Sequence, residues 1–315
     1  MTANTPQPDD VAFQDDASRI PVDGAELYVE QVGPPDAPII YYLHGGPGYN
    51  SYSFRDLMED DLQEYQLIYA DQRGAGRSRA ETLASSLDVS VLAEDVAAVA
   101  EALELPPLTL LAHGFGAQIA LETALQSPEL VKRLILVNPW VDMPLLARVM
   151  QRHAAFMSGN TDEALPAEDM LEGDPDPALV VEQAVMWVGG KELLDTLQLP
   201  KPSSRLRLEH SDSEALVTME ALGQFYIADD DDSLVDIPLW SLSKQDALTS
   251  VRVPVVVLLS QDDKTAYPEQ AEVILKAMGE ALVSVLEGGH YPWLDDPETF
   301  STLLTEIMQA DIPTD

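Results

Sequence analysis

The chain has 315 residues, 46% of them hydrophobic, enough to bury a large core and to build roughly two units of ~150 residues each. Its 55 acidic and 17 basic residues leave a formal net charge of −38, which excludes a surface suited to nucleic acid or anionic membrane. Cysteine is absent, so disulfides and thiolate metal sites are excluded, and no apolar run approaches the ~18 residues that span a bilayer.

The chain order of elements starts with an acidic lead-in, residues 1–18, read as disordered and lacking the basic start and apolar stretch of a secretory signal. Residues 20–32 alternate around Asp23-Gly24, a hairpin pattern. Continuous apolar runs follow at 39–43, 66–70, 108–112, 133–137, 254–259 and 282–286, as in strands buried on both faces. Helical periodicity falls between them at 51–60, 88–103, 115–126, 267–278 and 297–309. Strands alternating with helices predict an α/β fold with a mostly parallel sheet covered on both sides.

Between Val141 and about Ser250 the strand runs stop. Amphipathic stretches at 144–157, 178–188 and 214–226 read as helices, separated by turns such as Gly173–Pro177 and Asp229–Asp232. The expected organisation is a core of residues 19–140 and 251–315 with a helical cap, 141–250, inserted in it. Met143, Met150 and Met157, seven apart, read as the packed face of one cap helix.

Three motifs carry chemistry. His44-Gly-Gly-Pro-Gly48 follows a strand directly, and a glycine turn there lets a backbone N–H approach a bound carbonyl oxygen. Ala112-His-Gly-Phe-Gly116 follows the 108–112 strand and opens a helix. This is the setting of a nucleophile elbow, small-x-Ser-x-Gly, with Gly114 where the serine belongs. Glu287-Gly-Gly-His-Tyr-Pro-Trp293 places His290 in a glycine-rich loop after the last strand. Asp263 lies beyond the 254–259 strand, so position 114, Asp263 and His290 follow the order nucleophile, acid, histidine. Asp262 is adjacent, and the offset from the strand favours Asp263. The turn Asp71-Gln-Arg-Gly-Ala-Gly-Arg-Ser78 reads as structural, packed beneath the site with Arg73 paired to a carboxylate.

Together His44–Gly48, Asp71–Ser78, the elbow and Gly288-Gly-His-Tyr-Pro292 resemble the proline iminopeptidase branch of the α/β-hydrolases, over about residues 20–140 and 250–310. The resemblance implies a Ser-His-Asp hydrolase of amides or esters, with a cap that selects a small molecule or short peptide. By that likeness His290 is the general base and Asp263 its partner, while Gly46 and Phe115 supply the oxyanion-hole amides. Two departures stand out. Gly114 cannot attack an acyl carbon, and no neighbouring side chain replaces the serine, so the chain is expected to be inactive or nearly so. The cap also lacks the family's tryptophan-rich stretch ending in Glu; Met186-Trp-Val-Gly-Gly190 is the nearest segment.

Candidate pocket residues are Gly45, Trp187, Glu182 and Trp293, although Phe115 and Trp293 suit core packing equally well. The retained Asp263, His290, Gly46 and Gly116 point to a disabled enzyme. A natural ligand-binding relative without catalysis is the other reading, and an esterase or lactonase is the alternative activity. No metal or other cofactor is expected, because the five histidines lack ligand spacing and the glycine turns match no nucleotide fingerprint. The expected location is cytoplasmic. A salt-rich cytoplasm would suit the acidity, since the Debye length falls from ~8 Å at physiological salt to ~3 Å at 1 M.

Overall fold

The computed structural model describes residues 17–81, 88–161, 175–214, 238–278 and 282–310. Its centre is a nine-stranded sheet: β1 (Ala17–Val22), β2 (Ala25–Val32), β3 (Ile39–Leu43), β4 (Gln66–Ala70), β5 (Arg79–Ala80), β6 (Leu108–His113), β7 (Val131–Val137), β8 (Val255–Ser260) and β9 (Leu282–Leu286). The order is β1-β2-β4-β3-β6-β7-β8-β9, with β5 beside β2. The β1–β2 hairpin joins antiparallel to β4, and every pairing from β4 to β9 is parallel. All residues of β3, β4, β6 and β8 are buried, which is why those strands are predominantly apolar, with Gln66, Thr109, His113 and Ser260 the buried polar exceptions. The edge strand β9 is partly exposed.

Helices cover both faces and make two core layers. One contains α2 (Val89–Ala102), α3 (Gly116–Gln126) and the first helices of the insertion; the other contains α1 (Tyr52–Met58) and the C-terminal helix. Between β7 and β8 the described residues carry α4 (Met143–Ser158), α5 (Pro177–Val188), α6 (Gly190–Gln198), α7 (Pro202–Glu214) and the short α8 (Gln245–Leu248). After β8 come α9 (Glu269–Met278), α10 (Pro292–Asp295) and α11 (Pro297–Gln309). Side chains cap several N-termini: Asp88 accepts from Ser90 N, Asp142 from Leu145 N and Asp296 from Thr299 N. Met143 and Met150 are buried and Met157 is packed against the same core, so the seven-residue spacing is a helix face.

Some expectations are corrected. The lead-in does not reach residue 18, because Ala17 and Ser18 already pair with Glu30 and Val29. Helices α6 and α7 have no counterpart among the elements expected from the sequence. Residues 1–16, most of the 214–226 stretch, and the turns at 173–174 and 229–232 lie outside the described residues. Among the described residues no helix is long and apolar enough to cross a membrane.

Candidate active site

The loops that leave the C-terminal ends of β3, β6, β7, β8 and β9 meet, at the place where open parallel sheets hold their ligands. The elbow is the tightest of them. Gly114 has φ +51, a left-handed conformation that glycine adopts without strain. Its N–H donates to Val137 O (3.0 Å), and its carbonyl accepts from Trp140 N (3.1 Å) and Ala117 N (3.2 Å). Gly116 starts α3 under β3 so closely that a β-carbon there would stand 2.4 Å from Leu43 O. The glycine therefore sets how near the helix, and with it the elbow, comes to β3 and the start of the His44–Gly48 turn.

His290 and Asp263 meet as the chain order requires. Imidazole Nδ1 is 2.7 Å from Asp263 Oδ2, and both side chains are buried. A carboxylate accepts, so Nδ1 carries the hydrogen and Nε2 of the neutral ring is bare. Nε2 lies 3.0 Å from the point where residue 114 would carry a β-carbon. Asp262, the alternative acid, makes one hydrogen bond among the described residues, from its backbone N–H to Gly288 O.

Asp263 is fixed by a residue the sequence did not single out. Thr265 donates its hydroxyl (2.6 Å) and its amide (2.8 Å) to Oδ1, and its Oγ1 accepts the indole N–H of Trp140 (3.1 Å). Trp140 in turn stacks on the His290 ring, with centroids 5.2 Å apart and planes inclined 24°. Asn138 bridges the loops: Nδ2 donates to His290 O (2.8 Å), and Oδ1 accepts from Ser260 N (2.7 Å). The insertion also grips both loops, since Lys264 N donates to Leu197 O (2.9 Å) and His290 N to Gln198 O (2.8 Å) at the end of α6. A short D-x-T pattern after the strand is the one sequence signal for Thr265. Asn138 and α6 act through long-range contacts that no local pattern announces.

The His44–Gly48 turn lies beside the elbow, with Gly45 Cα 3.9 Å from the β-carbon point of Gly114. Among the described residues neither the Gly46 nor the Phe115 amide has a hydrogen-bond partner. The Phe115 amide also stands at the N-terminus of α3, where the helix dipole favours negative charge. His44 fixes the turn from below: Nδ1 donates to Gly45 O (2.7 Å), Nε2 accepts from Gln72 N (2.9 Å), and Gln72 Nε2 donates to His44 O (2.7 Å).

Beneath that contact lies a buried ionic network. Asp71 accepts from Ser51 N and Oγ (both 2.8 Å) and from Arg77 N (2.8 Å) and Nε (2.7 Å). Glu30 pairs with Arg55 (2.7 Å) and Arg77 (3.1 Å). Burial alone would raise the Asp71 carboxyl, but the Arg77 guanidinium overcomes it and holds the group well below the usual carboxylate range. Arg73 makes the carboxylate pair expected of this turn, with Asp95 (2.5 and 2.7 Å).

Other side chains fall differently. His113 turns toward the site: its Nε2–H donates to His290 O (2.9 Å) and its ring packs 4.3 Å from that of His290. Burial, reinforced by His290, pushes its pKa well down and keeps it neutral. Trp293 is core and not pocket wall. It is 1% exposed and wedged among Tyr42, Phe54, His113 and Phe300. The Phe115 side chain is likewise buried in the core, which leaves its amide as the group beside the elbow. Glu182 and Trp187 are half-buried on α5, and no hydrogen bond or ring contact joins them to His290 among the described residues. Those residues contain no His, Asp and Glu group able to hold a metal ion.

Comparison with known proteins bears on the family and the fold. The family model described as alpha/beta hydrolase fold matches residues 38–297. The proline iminopeptidase-related protein TTHA1809 of Thermus thermophilus is 35% identical, with a TM-score of 0.79 over 96% of this chain and 99% of that one. "Putative carbamate hydrolase RutD" of Rhizobium rhizogenes is 33% identical over 279 residues, 88% of this chain and 94% of the relative. The proline iminopeptidase of Mycobacterium smegmatis, at 19% identity and a TM-score of 0.68 over 93% of this chain and 97% of that one, shares the fold.

Proposed function

The chain belongs to the α/β-hydrolase family, and on that premise we propose that it is an amide or ester hydrolase scaffold, resembling proline iminopeptidase, disabled at its nucleophile. One observation carries the reading: bare Nε2 of an Asp263-held His290 faces Gly114 at the tip of an elbow with φ +51.

In the serine form, His290 takes the hydroxyl proton as the oxygen attacks an acyl carbon. The Gly46 and Phe115 amides hold the oxyanion, and His290 returns the proton to the leaving group. Water then repeats the sequence on the acyl-enzyme. With glycine at 114 no acyl-enzyme forms. Loss of the serine in a well-studied serine protease costs about 10⁶ in turnover, which sets the scale of the defect.

The substrate class is a small acyl compound. A requirement for a free amine would make it an aminopeptidase and give a cap carboxylate, Glu182 first, the task of pairing with that amine. Indifference to the amine would make it an esterase or lactonase, and the name of the Rhizobium relative adds carbamates to the panel. The test is Gly114→Ser against amino-acid anilides, simple esters, lactones and carbamates, in dilute and molar salt. Turnover of anilides, alkyl esters or carbamates that is confined to the serine form, or acylation of residue 114 by any of these compounds, supports the proposal, and the preferred compound names the class. A folded serine form inert to the whole panel, with saturable binding of one of these compounds, would replace it with a ligand-binding role.

A further inference from the structure

We propose that the chain as it stands is a general-base hydrolase of activated esters, in which His290 delivers water directly to the acyl carbon. The inference rests on the same site as the hydrolase reading, but needs no serine and no covalent intermediate.

Four observations support it. First, the base is complete without the serine. Asp263 and Thr265 occupy the Nδ1 side of His290, at 2.7 and 3.3 Å, so the lone pair of the neutral ring is on Nε2. Second, Nε2 has no hydrogen-bond partner among the described residues and lies against the elbow, 3.0 Å from the β-carbon point of Gly114. Third, the ring does not depend on a serine hydroxyl for its orientation. Trp140 stacks on it and is anchored through Thr265 to the same carboxylate. Fourth, the Gly46 and Phe115 amides are unpartnered among the described residues, so an oxyanion receptor stands beside the base. Apart from the chain neighbours, no other nucleophilic side chain comes nearer than 3.9 Å to the Gly114 β-carbon point among those residues. The nearest atoms to the Gly114 β-carbon point belong to His290 and Gly45, and His113 is engaged with His290 O.

The step balances with water as co-reactant. A water O–H proton passes to Nε2 while the oxygen forms a bond to the acyl carbon. The carbonyl π pair moves to its oxygen and is held by the two amides. Collapse re-forms the carbonyl, breaks the bond to the leaving oxygen, and the proton on Nε2 leaves with that oxygen or to solvent. The products are one carboxylic acid and one alcohol or phenol from an ester, and a single hydroxy acid from a lactone. A free water lacks the positioning of a tethered hydroxyl, so the reaction is confined to good leaving groups: aryl esters and strained lactones, not anilides.

The experiment is hydrolysis of p-nitrophenyl acetate by the unaltered chain, followed from the first turnover, beside His290→Gln and Asp263→Asn purified identically and checked for folding by circular dichroism. The expected result is a rate above buffer, linear from time zero, that falls at least about 10²-fold in His290→Gln. His290→Ala with added imidazole regains part of it. Equal rates in the chain and His290→Gln would overturn the inference. A chain no faster than buffer, while Gly114→Ser turns the ester over with a burst, would overturn it and leave the serine-hydrolase reading standing. If the serine form is also inert, both fall.

Discussion

Nε2 of His290 is 3.0 Å from the place a β-carbon on residue 114 would occupy, closer than nearly all real β-carbon contacts. Gly114→Ser must therefore move the imidazole by a few tenths of an ångström and place a side chain at φ +51. The substitution is expected to cost about 1–3 kcal/mol of stability. Gly114→Ala should lose a similar amount in denaturant titrations, because the backbone and the β-carbon cause the loss and the hydroxyl does not. A serine form as stable as the glycine form would show that the elbow is not strained.

Thr265 is a positioning residue. Thr265→Val leaves Asp263 Oδ1 with one donor and the Trp140 indole N–H with no acceptor, both buried, at a cost of about 1–3 kcal/mol. In the serine-restored protein kcat should fall with KM unchanged, and the His290 Nδ1–H resonance should shift. Thr265→Ser should recover both. A fall in stability alone, with kcat and the resonance unmoved, would reduce Thr265 to a packing role.

Acid sensitivity should begin with His113. Burial depresses its folded pKa well below the unfolded value, so below pH ~6.5 the unfolded chain binds a proton that the folded chain refuses. Stability is then lost as pH falls, by roughly 1.4 kcal/mol per pH unit per histidine. His44, also lowered by burial, acts in the same direction. Carboxylates still carry charge between pH 6.5 and 5, so relief of acidic repulsion does not mask the slope. His113→Gln keeps a donor for His290 O and should flatten the denaturation free energy between pH 7.5 and 5.5. An unchanged slope would contradict the assignment.

Arg77 anchors Asp71 beneath the His44–Gly48 turn. Arg77→Met leaves Asp71 buried without its cation and should destabilise by about 3–5 kcal/mol. The stabilisation from Asp71 is present above the unfolded carboxylate value of ~3.9 and is lost as pH falls below it, because the folded value is depressed. Thermal unfolding of the variant at neutral pH checks the first point, and the acid limb of the parent checks the second.

A net charge of −38 repels itself, and salt screens it. The melting temperature should rise from dilute buffer to molar KCl. An identical melt in both would remove the case for a salt-rich setting.

The sheet was legible because its central strands are buried on both faces and read as predominantly apolar runs, Ile39–Leu43 being the clearest. The site was legible where chemistry demands a local pattern: glycines at 46, 114 and 116, and Asp263 and His290 in order. It was not legible where residues distant in sequence act on one another. Trp140 reaches His290 across 150 positions and Thr265 across 125, and Gln198 meets the histidine loop only through its backbone carbonyl. Trp293 misled because an aromatic three residues past the histidine suits a pocket wall or a core equally well; packing against Phe54 and Phe300 decides for the core. Helix α6 begins with Gly190 after Gly189, a pair that reads as a break from sequence alone.

The most direct test of the central claim is to treat Gly114→Ser and the unaltered chain with an aryl phosphonate ester that marks activated serines, then weigh and map the products by mass spectrometry. The account predicts a single phosphonyl adduct on residue 114 of the serine form, abolished by His290→Gln, and none on the glycine chain. A folded serine form that takes no label at residue 114 would contradict it, because His290, Asp263 and the oxyanion turn would then not form a hydrolase site.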